Sequence, residues 1–319
     1  MASQQVVLRV DNLTKYFGEV VAVDGLSLEV YEGEVFGFLG PNGAGKTTSI
    51  NMMCGLLSPD AGQVRIHDQP VRGGETHTIS RVGVCPQAII LWSDLTCFEQ
   101  LVFAAQMYDV PRRVACERAE VLLEQMGLID KRNKRAKTLS GGMQRRLNLI
   151  MALVHEPDII VLDEPEAGLD PQSRVLVRDY IKSLAQHKTV ILTTHNMDEA
   201  ERLADRVAII DHGQLLKLDT PDALKREVGE GDVLEIELAA NGALPLEQLE
   251  RAKTVITPLV PNVSLTEREV VLRARGMVER LPAILGALEA DHIKPGEVRL
   301  RESSLEDVFI AITGRRLRE

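Results

Sequence analysis

The chain has 319 residues, with 47 acidic against 37 basic side chains and a formal net charge of −10. That balance repels nucleic-acid phosphates at long range and argues against a nucleic-acid partner. Hydrophobic residues at 45% suffice for a sizeable core, and the length leaves room for one large and one small domain. Cys54, Cys85, Cys97 and Cys116 show no C-x-x-C spacing, so no zinc or redox site is expected, and a reducing cytosol suits them. Residues 1–10 carry no apolar leader core, and apolar runs such as 147–154 fall far short of the roughly 18 residues a membrane span needs. Any membrane crossing is therefore expected from another polypeptide.

Residues 6–10 and 21–30 alternate as antiparallel strands, with Asp24-Gly25 as a turn or bulge signal. Residues 34–39 form an apolar run that stops at Gly40, a buried strand feeding a glycine-rich loop. Gly40-Pro41-Asn42-Gly43-Ala44-Gly45-Lys46-Thr47 satisfies G-x-x-x-x-G-K-[ST], the P-loop pattern, between that strand and a helix over 47–57. Glycines let the backbone wrap phosphates, so successive N–H groups and the helix N-terminus point at negative charge. Lys46 is expected to bridge the β- and γ-phosphates of a nucleotide and Thr47 to offer its hydroxyl to Mg²⁺. Thr48 is included in the nucleotide-binding set.

From about 91 to 155 the chain reads as helical. Thr96 with Glu99 makes a capping box, and Pro111 suits the first position of the next helix. Five basic residues, Lys131, Arg132, Lys134, Arg135 and Lys137, are expected to form a solvated face. Leu139-Ser140-Gly141-Gly142-Met143-Gln144 opens a helix over 143–154 and makes a second anion-binding helix terminus. One nucleotide does not need two such ends from one subunit. The economical reading is that this end covers the γ-phosphate of ATP held by a second subunit's P-loop.

Residues 159–162 are four apolar positions followed by Asp163 and Glu164, a buried parallel strand that delivers both acids to its C-terminal edge. Asp163 is expected to hold Mg²⁺ through its water shell, and Glu164 to orient and polarise an attacking water. Asp170-Pro171 opens another helix, and 189–193 is again strand-like. Gly229-Glu230-Gly231 reads as a linker. Beyond it, strands over 233–238, 270–273 and 297–300 and helices over 277–288 and 305–312 predict a small α+β module. Leu305, Val308, Phe309 and Ile312 form an apolar stripe on the last helix, expected to pack within that module.

In this order, the motifs resemble those of ABC-transporter ATPase subunits, over residues 6–228. The resemblance implies an α/β P-loop NTPase core with an antiparallel β subdomain and a helical subdomain over about 88–155, so domains at 1–228 and 232–319. It also implies that Gln87 is the Q-loop glutamine, contacting Mg²⁺ or water and sensing the membrane partner. His195 becomes the switch histidine on the γ-phosphate. Residues 167–170 become the D-loop, with Asp170 at the dimer interface, and Gln144 joins Ser140, Gly141 and Gly142 in the nucleotide-binding set. An aromatic just before a glycine stacks on adenine in this family; Phe17 fits, with Tyr16 as the alternative. Glu166 stands where the family more often has Thr, Ser or an aromatic, and its carboxylate is expected to face solvent. Residues 303–309, running to Gly314-Arg315-Arg316-Leu317, are similar to the end of exporter ATPases of the daunorubicin-resistance type. The implied protein is a Mg²⁺-dependent ATPase on the cytoplasmic face of the membrane. It would dimerise, as a homodimer, around two ATP molecules and drive export through a separate membrane-spanning subunit. A non-transport ATPase of the same superfamily is the alternative, but neither an inserted coiled coil nor a second P-loop is present.

Overall fold

The computed structural model describes residues 5–71, 80–228, 232–238, 246–260, 262–265, 269–274 and 276–313. Its contacts divide it into two compact units, Met1–Pro221 and Asp222–Arg316, besides a few C-terminal residues outside the described set. The division falls ahead of residues 229–231, the expected linker, which lie outside the described residues, as do 314–317.

In the first unit, β1 (Val6–Phe17) and β2 (Val20–Tyr31) form an antiparallel hairpin turning at Gly18, φ +61°. Both strands run longer than their alternation predicts. Leu13 pairs with Leu26 but Lys15 with Val23, so β2 carries an extra residue at Asp24-Gly25, with Gly25 at φ +62°. That dipeptide is a bulge rather than a turn. Next, β3 (Val35–Leu39) runs into α1 (Lys46–Met53), and β4 (Ala61–Ile66) and β5 (Gln69–Pro70) return to the hairpin, giving the sheet order β2-β1-β4-β5.

The central sheet adds β6 (Val82–Cys85), β7 (Ile159–Asp163), β8 (Thr189–Thr194), β9 (Arg206–Asp211) and β10 (Gln214–Asp219), in the order β10-β9-β3-β8-β7-β6. All its pairings are parallel except β9 with β10. Every residue of β3, β7 and β8 is buried, which is why β3 and the first four residues of β7 read as unbroken apolar runs; β8 buries three threonines beside Val190, Ile191 and Leu192. Ile160 and Leu162 face one core, shared with Leu101, Leu123 and Leu147. Ile159 and Val161 face the other, with Phe36, Phe38 and Ile50.

Between β6 and β7 lie α2 (Cys97–Gln106), α3 (Arg112–Gln125) and α4 (Gly141–Met151). The Thr96 and Glu99 capping box closes in both directions. Pro111 precedes its helix as the capping position, its ψ of 137° still extended. The helix that follows Ser140, α4, carries the Leu139–Gln144 signature at its N-terminal end and begins two residues earlier than predicted: the Ser140 hydroxyl accepts from Met143 N–H at 3.3 Å, placing both glycines in the first turn. The unit continues through α5 (Pro171–Ala185) and α6 (Met197–Leu203).

The second unit holds α7 (Pro221–Val228) except its first residue, β11 (Asp232–Glu237), α8 (Leu246–Ile256), β12 (Asn262–Leu265), β13 (Glu269–Ala274), α9 (Met277–Ala290), β14 (Val298–Glu302) and α10 (Leu305–Thr313). The antiparallel sheet β12-β13-β11-β14 buries Leu234, Ile236, Val270 and Leu272 with Ile256, Ile284 and Leu288. The stripe residues Leu305, Val308 and Phe309 of α10 are fully buried. Beside them Asp307 accepts from Arg273 at 2.8 Å and from Arg301 at 2.6 and 3.0 Å, tying the helix to β13 and β14. Burial works against its charge, yet these guanidiniums hold the Asp307 carboxyl well below the usual carboxylate range. The last helix is thus bonded to its own module's sheet.

Candidate functional site

The C-terminal ends of β3, β7 and β8, adjacent parallel strands of the central sheet, carry the P-loop, the acid pair and His195. The glycines at both ends of the P-loop are sterically required. A Cβ on Gly40 would lie 2.4 Å from the Ile210 carbonyl, and one on Gly45, already at φ +97°, 2.3 Å from that of Ala22. Between them Pro41 is half-buried, Asn42 and Gly43 are exposed, and Ala44 is buried. Lys46 is buried and donates to the carbonyls of Gly40 at 2.6 Å and Pro41 at 2.9 Å. Burial lowers its pKa, while the charges of Glu164 and Asp163 push it back up, so its ammonium lies within electrostatic reach of both acids. Thr47 is exposed and Thr48 half-buried in the first turn of α1.

Asp163 and Glu164 are both buried. The Thr193 hydroxyl donates to Asp163 Oδ1, and Glu164 N–H donates to the Thr193 carbonyl at 3.1 Å. Glu164 has φ +53°, a left-handed backbone that costs a non-glycine residue roughly 1–3 kcal/mol and turns the chain sharply out of β7. Its Oε1 accepts from His195 N–H at 3.2 Å and lies 2.6 Å from His195 Nδ1. Of this pair His195 is the solvent-facing member, its side chain 56% exposed. Gln87 is exposed, while its carbonyl accepts from Arg145 at 2.8 Å.

The second helix terminus lies elsewhere on the same unit. Ser140 and Gly141 are exposed, and a Cβ on Gly142 would approach Asp170 Oδ1 and Ser173 Oγ to 3.3 Å. Asp170 caps α5 by accepting from Ser173 N–H at 3.0 Å, which holds its carboxyl below the ordinary value. Among the described residues, neither Ser140 nor Asp170 hydrogen-bonds to Lys46, Asp163 or Glu164. The Gln144 amide is turned back to the Ala136 carbonyl at 3.0 Å. Tyr16 and Phe17, at the β1–β2 hairpin, are 49% and 52% exposed, with the Lys15 ammonium 5.8 Å from the Phe17 ring centre.

Residues 23–167 match the family model described as ABC transporter. The chain is 39% identical over 316 residues to a Nod factor export ATP-binding protein of Ralstonia nicotianae, covering 98% of this chain and 95% of that one. This chain belongs to the ABC transporter ATPases. A daunorubicin resistance ATP-binding protein of Streptomyces coeruleorubidus is 36% identical, with 98% of each chain covered. A dimeric ATP-binding cassette solved in a post-hydrolysis state with ADP and Pi superposes with a TM-score of 0.62. It is 25% identical and covers 67% of this chain and 98% of that one. As an ABC ATPase subunit the protein binds ATP with Mg²⁺, hydrolyses it, dimerises and works with membrane subunits. No helix among the described residues is long and apolar enough to cross a membrane.

For Mg²⁺, Thr47, Asp163 and Gln87 offer hydroxyl, carboxylate and amide oxygens, the hard donors that cation prefers. A nucleotide-bound Mg²⁺ keeps waters and uses only one or two carboxylates.

Two surface expectations need correction. Glu166 does not face solvent: it is buried, with both oxygens on Arg178 at 2.9 Å and Arg174 3.7 Å away. Its partner sits 12 residues on, in α5, where nothing local announces it. Of the five basic residues, Lys134, Arg135 and Lys137 are exposed as expected. Lys131 and Arg132, however, are half-buried, and Arg132 pairs with Glu120 at 2.9 Å and lies 4.5 Å from the Phe98 ring centre.

Sequence reading missed three further groups. Thr193 supports both acids. Arg145, buried in the signature helix, donates to the carbonyls of Pro86, Gln87, Asp163, Glu164 and Pro165 at 2.6–3.5 Å. Glu199, buried in α6, accepts from the Thr194 hydroxyl at 2.6 Å.

Burial, together with the charges of Glu166 and Glu164, pushes the Glu199 carboxyl up to about 7 from 4.5, against the pull of the Thr194 hydroxyl. With its folded value above the unfolded one, the folded state holds the extra proton across that window. Stability therefore falls as pH rises from about 4.5 through about 7. Glu199→Gln should melt close to the wild type at pH 5 and above it at pH 8. A melting advantage confined to pH 5 would contradict this reading.

Proposed function

We propose that this ABC ATPase drives export through a separate membrane-spanning subunit, as a head-to-tail homodimer on the cytoplasmic face of the membrane. The observation that carries the chemistry is the convergence of Lys46, Asp163, Glu164 and His195 at one sheet edge. In this reading residues 40–48 wrap the phosphates, with backbone N–H groups from all but Pro41 available to them, Lys46 neutralises the β- and γ-phosphates, and Phe17 stacks on adenine. Mg²⁺ would be held by Thr47, Asp163 and Gln87 and would supply charge neutralisation on the phosphate oxygens.

Glu164 accepts a proton from the water as its oxygen attacks the γ-phosphorus. The bond from phosphorus to the β–γ bridging oxygen breaks, and ADP leaves with that electron pair. His195 holds Glu164 and faces the γ-phosphate. The exposed end formed by Ser140, Gly141 and Gly142, with Gln144 and Asp170 behind it, covers the ATP on the second copy. Arg145 couples Gln87 to the acids: one guanidinium bonds the carbonyls of Gln87, Asp163 and Glu164. Movement of the Q-loop against the membrane subunit is thereby felt at the site of chemistry. Export is supported by the Nod factor export and daunorubicin resistance relatives.

Lys46→Ala tests the binding half of this reading. Charge-assisted hydrogen bonds contribute about 1.5–3 kcal/mol each, so ATP affinity should drop about 10- to 100-fold. Titration with a fluorescent ATP analogue measures it, and unchanged affinity would count against the assignment.

A further inference from the structure

The turn that carries His195 is closed from both sides by one buried residue outside the motifs, Glu199, through its carboxylate on one side and its backbone N–H on the other. On its N-terminal side, Thr194, itself fully buried, donates its hydroxyl to Glu199 Oε2 at 2.6 Å. That same hydroxyl accepts from Asn196 N–H at 2.9 Å, folding the backbone around His195. On the C-terminal side, the Asn196 side chain caps α6 by accepting from Glu199 N–H at 3.2 Å. Glu199 therefore contributes one bond to each residue flanking His195. Its carboxylate also lies within electrostatic reach of Glu164 and Glu166, the latter held by Arg178.

The consequence concerns the orientation of one peptide. Glu164 Oε1 takes both the backbone N–H and the ring of His195. Both contacts require the peptide between Thr194 and His195 to point its N–H at β7. If the Thr194 hydroxyl lost its acceptor, a buried donor would be left unpaired, which is unfavourable away from water. The side chain would then rotate to find another acceptor and release Asn196. We propose that Glu199 is a positioning residue for hydrolysis, clamping Thr194 so that His195 and Glu164 stay in register. This rests on the reading of Glu164 and His195 given above.

The partnership predicts a pattern of rates. Glu199→Ala and Thr194→Val should each lower kcat about 10- to 100-fold, the scale of a small misplacement of reacting groups, with KM for ATP within about twofold. Because both remove the same bond, the double variant should be no slower than the worse single variant. Thr194→Ser keeps the hydroxyl and Glu199→Gln keeps an acceptor oxygen, so both should recover most of the rate. Steady-state ATPase kinetics on the full chain, with melting curves and Glu164→Gln measured alongside, decide it. A folded Glu199→Ala with wild-type kcat, or single defects that multiply in the double variant, would overturn the proposal. Should Glu199→Ala not fold, the Thr194→Val and Thr194→Ser pair carries the test: equal rates overturn the clamp, and a rate lost in Val and kept in Ser supports it. If Glu164→Gln hydrolyses ATP normally, the assignment of the catalytic pair fails, whatever the Glu199 variants do.

Discussion

Glu164→Gln should lower ATP turnover by about 10²- to 10⁴-fold, the usual contribution of a positioned general base. The amide keeps the shape of the side chain and an acceptor for His195 N–H. It loses the negative charge that draws the proton from the attacking water. ATP binding should persist, because no contact expected of the phosphates involves this carboxylate. The variant should therefore accumulate as an ATP-bound dimer, visible as a shift in gel filtration with Mg-ATP. A monomeric variant that still hydrolyses would remove Glu164 from the chemistry.

The largest structural loss is expected at Arg145. Its planar guanidinium reaches five carbonyls, those of Pro86, Gln87, Asp163, Glu164 and Pro165, four of them at 2.6–2.8 Å. Methionine fills much of the same volume and satisfies none of them. Hydrogen bonds to a charged donor are each worth about 1.5–3 kcal/mol, so Arg145→Met should cost at least about 3 kcal/mol. For a domain of this size that lowers the melting temperature by about 6–12 °C. Lysine carries the charge but presents three donors from one point, so Arg145→Lys should recover only part of the loss. Differential scanning calorimetry distinguishes these outcomes, and an unchanged melting point for Arg145→Met would contradict the role described.

These two residues differ in how far sequence reading reaches them. Glu164 follows four apolar residues in a strand buried on both faces, a pattern that shows in the chain itself. The P-loop is equally legible, because Gly40 and Gly45 meet backbone where no side chain fits. Caps were readable for the same local reason: Thr96 with Glu99, and Asp170 with Ser173, lie three residues apart. Arg145 left no such trace, since its partners lie 18 to 59 positions away. The misjudged exposure of Glu166 and the unnoticed Glu199 have the same origin, a partner on another element or a short bond inside a turn. β6 also escaped notice. It is only four residues long and contains Gly83, which resembles a loop signal but marks where the Ala152 carbonyl would sit 2.0 Å from a Cβ.

The head-to-tail arrangement is tested most directly by mixing two inactive variants. Ser140→Arg places a bulky cation on the exposed signature end, and Lys46→Ala removes the charge on the P-loop. Each alone should be inactive, because each homodimer carries its lesion at both composite sites. In a mixed dimer both lesions fall on one site and the other is intact. Mixing should restore ATP hydrolysis, up to about half the wild-type rate per heterodimer if the two sites act independently. No recovery, with heterodimers demonstrated by differential tagging and pull-down, would contradict it.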